Sequence, residues 1–129
     1  FAISKKYIYV YVSSNLTLLI FSINGNYIKR IGKPQTINPN IHNLTTSLRV
    51  YNDVVFLAVA ICSHTIIYLF NGVHCIHTIE FDNYVMSAFN IINNKLYCCW
   101  DNEILVYELY INKDILTNIK FVSFIGMID

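Results

Sequence analysis

Three eight-residue stretches of this chain line up with one another, and their spacing constrains the fold more than any other feature. They are Asn15-Leu16-Thr17-Leu18-Leu19-Ile20-Phe21-Ser22, Ser63-His64-Thr65-Ile66-Ile67-Tyr68-Leu69-Phe70 and Asp101-Asn102-Glu103-Ile104-Leu105-Val106-Tyr107-Glu108. Each begins with a small polar turn residue (Asn15, Ser63, Asp101), has a polar opener two positions on (Thr17, Thr65, Glu103) and continues as an apolar run. The copies start 48 and 38 residues apart. Self-similarity at a period of tens of residues marks units that bury their apolar surface against one another.

Around these copies, short runs rich in Ile, Val, Tyr and Phe alternate with two to four residues of Asn, Ser, Gly or Asp, and no amphipathic helical window interrupts them. The pattern predicts an all-β chain of eleven strands: Tyr7 to Val12, Thr17 to Ser22, Asn26 to Ile31, Leu44 to Val50, Val54 to Ala60, Thr65 to Phe70, His74 to Glu80, Val85 to Ile92, Lys95 to Trp100, Glu103 to Leu109 and Ile115 to Phe121. Asn24-Gly25 and Asn71-Gly72 supply the positive backbone dihedrals of tight hairpins, and Asn93-Asn94 and Asp101-Asn102 tolerate them. Gly32 to Asn43, with Pro34 and Pro39, reads as a loop between repeats.

Four antiparallel strands every forty or so residues is the arithmetic of a β-propeller blade. The expected blades are residues 1–31, 41–80 and 84–121, with the first copy lacking a leading strand. The middle strands of a blade are covered on both faces, and Val54 to Ala60 is apolar throughout, whereas the outermost strand is an open edge that polarity protects, as in Asn26 to Arg30 and His74 to Thr78. Propellers use about four to eight blades. Three blades therefore lead us to expect a partial propeller, a fragment of a larger protein whose remaining blades lie in the same full-length chain, with the leftover Ser123 to Asp129 able to begin another blade. Phe1 in place of an initiating Met agrees with an upstream segment.

The third copy resembles a WD repeat over Tyr84 to Leu109, with Asp101 at the family's turn Asp and Tyr107-Glu108 where Trp-Asp stands. Asn15, Thr17, Phe21 and Ser22 occupy the matching places in the first copy, and Ser63 and Thr65 in the second, where Leu69-Phe70 replace the aromatic-acidic pair. Trp100-Asp101 sits at a different turn and does not count toward the motif. Ile20-Phe21-Ser22-Ile23-Asn24-Gly25-Asn26-Tyr27-Ile28 is similar to a Ser-Ile-Asn-Gly blade turn in the C-terminal propellers of BEACH-domain proteins. These resemblances imply a propeller that scaffolds protein partners, cytoplasmic and near vesicle membranes in membrane traffic.

Chemistry-bearing residues are sparse. The net charge is +1 and charged residues make up 13%, which gives no footprint for nucleic acid or an anionic membrane. The longest apolar run, Val54 to Cys62, is nine residues, too short for a membrane span. Cys62, Cys75, Cys98 and Cys99 have no metal or disulfide spacing, and Cys98 and Cys99 point to opposite faces of a strand. Cys75 and His77 share a strand face but lack two further ligands. Ser63-His64 has no assignable carboxylate, and Asp101 and Glu103 read as turn residues more readily than as an acid-base pair. Single glycines build no phosphate loop, so no cofactor is expected.

The sequons at Asn15 and Asn43 follow from an Asn-rich, Ile-rich composition. Lys5-Lys6 and Lys29-Arg30 read as solvated edges, and Tyr110 and Pro34 to His42 as candidate contact surface. The innermost strands, Leu44 to Val50 and Val85 to Ile92, offer Arg49 and no carboxylate or histidine cluster. The expectation is thus a non-enzymatic, protein-binding scaffold. The alternatives are a propeller-fold hydrolase or lyase, with charged residues converging on the channel, and an extracellular or viral β-rich binding module.

Overall fold

The computed structural model describes residues 1–12, 16–32, 44–61, 64–82, 86, 88–100 and 103–126. Twelve strands are formed: β1 (Ala2–Ile3), β2 (Tyr7–Val12), β3 (Thr17–Ser22), β4 (Tyr27–Ile31), β5 (Leu44–Tyr51), β6 (Val54–Ile61), β7 (His64–Asn71), β8 (His74–Asp82), β9 (Ala88–Ile92), β10 (Lys95–Trp100), β11 (Glu103–Asn112) and β12 (Ile115–Gly126). They make three four-stranded antiparallel sheets, β1 to β4, β5 to β8 and β9 to β12, each a meander in chain order, with no helix among the described residues.

Two expectations are corrected. The first sheet does have a leading strand: Ala2 and Ile3 pair with Tyr9 and Ile8, and the pattern missed it because two residues carry no periodicity. The described part of the segment from Ser123 does not start a new unit, and residues 127–129 lie outside the described residues. Ser123 to Gly126 prolongs β12 and pairs with Val106 to Glu103, since β11 runs far enough to offer it partners.

Turn chemistry sets the hairpins. Asn52 and Asp53, Asn93 and Asn94, and Lys113 and Asp114 each place two successive residues at positive φ, between 45° and 64°. Paired positive dihedrals match the right-handed twist of the flanking strands. Asn-Asn was legible as such a turn. Lys113-Asp114 was not, because lysine gives no turn signal.

The sheets stack face to face through β6. Val54, Phe56 and Ala58 join Ile67, Leu69, Phe89, Leu96 and Leu109 in one core, between the second and third sheets. Val55, Leu57 and Val59 join Tyr9, Leu18, Ile20 and Phe70 in another, between the first and second. A strand buried on both faces must be apolar at every position, which explains why β6 lacks alternation. Among the described residues, the first and second sheets approach each other most closely at β1 and β5, their first strands.

Polarity along the outer edges follows the expectation in two sheets. β4 is exposed over most of its length and carries Lys29 and Arg30, and β8 exposes His74, Cys75, Thr78 and Glu80. β12 departs from it, exposing Ile115, Phe121, Val122, Phe124 and Ile125. The faces that look away from the middle sheet are apolar too, with Ile3 and Phe21 on the first and Ile92, Tyr110 and Ile125 on the third.

Candidate functional site

Among the residues that define the repeat, Asn15, Ser63 and Asp101 lie outside the described residues, as do the Pro34 to His42 loop and Asn43. Thr17, Phe21, Thr65, Tyr107 and Glu108 are placed, and their faces revise the alignment of the middle copy. Thr17 pairs with Val12 and faces away from the second sheet, opposite to its buried neighbour Leu18. Thr65 lies on the face toward the third sheet, where its Oγ1 accepts the Met86 N–H at 3.2 Å. The two threonines therefore look in opposite directions along the stack. A shift by one residue changes the face of every side chain in a strand.

Shifting the middle copy by one brings Phe21, Tyr68 and Tyr107 together as the aromatic position. Tyr68 faces the first sheet and Tyr107 the second, each toward the preceding unit, and Phe21 points in the same sense. Phe21-Ser22-Ile23-Asn24-Gly25 then matches Tyr68-Leu69-Phe70-Asn71-Gly72, both ending on a positive-φ glycine. Leu69-Phe70 replaced an aromatic only in the unshifted alignment. The shift was hidden in the sequence because Ser63-His64-Thr65 mimics Asn15-Leu16-Thr17, whereas strand faces are fixed by burial. In the first and third sheets the aromatic meets a second one on the outer strand beside a β-bulge. Phe21 and Tyr27 are edge-on at 5.9 Å, and Tyr107 and Phe121 at 5.5 Å.

Polar side chains tie neighbouring sheets at one end of the stack. Tyr9 donates its hydroxyl to the Gly72 carbonyl at 3.0 Å, and Asp53 accepts the Lys5 N–H at 2.8 Å. The Asn71 amide pairs with Leu116 as a strand would, donating to its carbonyl at 2.9 Å and accepting its N–H at 3.0 Å. Tyr51 donates to Asn94 Oδ1 at 3.0 Å and accepts the Asn94 N–H at 2.8 Å. Lys5 Nζ reaches Asp114 at 2.6 Å, linking the first sheet to the third, and that hydrogen bond, with the charge of Asp114, raises the Lys5 pKa.

Of the candidate reactive pairs, Ser63-His64 and Asp101-Glu103 each include a residue outside the described residues, and the third is separated by the strand register. Leu69 pairs with His77 and Phe70 with Cys75, with a bulge between them, so Cys75 and His77 face opposite sides of β8 instead of sharing one. Among the described residues no group of three or more metal-ligating side chains assembles, and Cys75, Cys98 and Cys99 are free. Cys98 faces the second sheet, and burial, with the neighbouring Cys99 second, pushes its thiol up to about 12. Burial also raises the Cys75 thiol and the Tyr9, Tyr68 and Tyr107 phenols, and it pushes Tyr11 up to about 12. Each of these shifts favours the neutral, un-nucleophilic form at neutral pH.

Among the described residues, clefts open between the sheets and their turns. One of about 240 Å³, between the first and second, is lined by apolar residues such as Leu18, Leu57 and Val59, with Tyr11, His64 and Tyr68. A second, of about 360 Å³, lies among the turns around Lys5, Asp53 and Asp114. The third, of about 190 Å³, contains Arg49 and lies between β5 and β6 of the second sheet and the start of the third. Arg49 is exposed and its guanidinium sits 5.4 Å from the centroid of the buried Phe89 ring. Ser47 is two residues before Arg49 and shares its face, while the small side chains of Ala58 and Ala60 leave the cleft unfilled.

No protein-family model, curated protein or solved structure matches this chain. Among the described residues no helix is long and apolar enough to cross a membrane.

Proposed function

We propose that the chain is part of a β-propeller and serves as a non-catalytic scaffold for protein partners. The observation that carries this reading is the middle sheet, covered on both faces by sheets of the same topology, with the first strands β1 and β5 closest together. Wedges around an axis have this form, because sheets that converge at one edge rotate progressively and leave their outer edges apart. The apolar faces at both ends of the stack agree with further blades on either side in the full-length protein. In this reading the sheets supply rigidity and the turns and inner edges supply contacts, so function rests on shape complementarity and a few anchoring side chains. The in-register Phe-Ser-Ile-Asn-Gly and Tyr-Leu-Phe-Asn-Gly turns support a relationship to the WD-repeat and BEACH-type propellers, and with it a cytoplasmic role in membrane traffic.

A density map of the full-length protein tests the architecture: four to eight sheets around an axis are expected, and a straight stack or a closed two-sheet sandwich overturns it. Recovery of the full-length protein from cells with stoichiometric partners tests the role. Turnover of a small substrate with no protein partner would defeat the scaffold reading.

A further inference from the structure

We infer that the Arg49 cleft is a docking site for a single acidic side chain of a protein partner. This deepens the scaffold reading and rests on it. An arginine held over an aromatic face keeps its planar N–H edge free, and that edge matches a carboxylate with two parallel hydrogen bonds. Arg49 is so held by Phe89, and no described carboxylate pairs with it, the ion pair among the described residues being Lys5 with Asp114. The Ser47 hydroxyl, on the same face of β5, adds a donor, and Ala58, Ala60 and Met86 provide an apolar bed for the methylenes that precede a carboxylate. Among the described residues no carboxylate lines the cleft, and Arg49 is its one charged group, so an incoming carboxylate is attracted there. At about 190 Å³ the cleft is smaller than the few hundred Å³ of sites for drug-sized ligands, which suits one glutamate or aspartate side chain. It opens beside β5, the first strand of the second sheet, and faces the start of β9, so the partner side chain enters between the second and third sheets.

The test uses the full-length protein and a fluorescent, blocked pentapeptide with one glutamate between leucines, compared with its glutamine counterpart by anisotropy at low salt. The glutamate peptide binds at least tenfold tighter. Arg49→Ala removes the preference without altering the circular dichroism spectrum, since Arg49 is exposed, and Arg49→Lys keeps only part of it. Equal affinity for the two peptides, or a preference that survives Arg49→Ala, overturns the inference. Competition by free glutarate at the peptide's own affinity also overturns it, assigning the cleft to a small free acid. A density map with sheets around an axis alongside equal peptide binding sinks the carboxylate site alone, whereas a map without that arrangement removes the reading beneath it.

Discussion

Tyr9 is wholly buried between the first and second sheets, yet its hydroxyl reaches the Gly72 carbonyl. Tyr9→Phe keeps the ring and leaves that carbonyl without its donor, at an expected cost of about 1 to 2 kcal/mol in chemical unfolding. Tyr9→Ala adds a cavity and costs about 3 to 5 kcal/mol. Cys98 contributes a pH dependence of definite sign. Its folded pKa, about 12, lies above the ordinary 9.0, so the unfolded chain releases the thiol proton first as pH rises. The stability Cys98 confers is full below pH 9 and falls between about pH 9 and 12, and Cys98→Ala flattens that part of the curve in unfolding measured against pH. At this scale the sequence was legible for Arg49, a lone charge on an otherwise uncharged strand. It was not legible for Tyr9, since Tyr7, Tyr9 and Tyr11 look alike until a neighbouring sheet supplies Gly72.

Hairpins were readable where their turn residues are specialised and unreadable where they are not. Gly25, Gly72 and Asn93-Asn94 announce positive dihedrals, but Lys113 adopts φ 51° without a side chain suited to it. Lys113→Gly relieves that strain and raises stability by about 0.5 to 1 kcal/mol, measured as a higher denaturant midpoint with an unchanged slope. A fall in the midpoint would mean that Lys113 makes a contact worth more than its strain. The faces of the strands were equally hard to read. Thr17 and Thr65 share a type and a local setting, and only the two cores show that they look opposite ways. The bulges in β4, β8 and β12 were invisible as well, because an extra residue in an outer strand leaves composition and polarity unchanged.

For the molecule as a whole, the four strands of the second and third units and the apolar middle strand were legible, because burial on two faces forces a sequence signature that a single open face does not. The two-residue leading strand of the first unit was not legible. The polar edge held for β4 and β8 and failed for β12, where Phe121, Val122, Phe124 and Ile125 are exposed beside an unpaired backbone edge. Long apolar edges recruit other chains. The 129-residue chain by itself is therefore expected to self-associate in sedimentation velocity. A Val122→Lys/Phe124→Lys double variant shifts it toward the monomer, and an unchanged distribution would locate the association on the apolar sheet faces instead. The double covering of β6 also bears on the order of assembly at the ribosome. Val55, Leu57 and Val59 find their cover in sequence already made, whereas Val54, Phe56 and Ala58 wait for residues as late as Leu109 and Leu116 to emerge. Nascent chains halted within that interval hold a half-finished greasy surface, the kind of surface that chaperones retain until translation resumes.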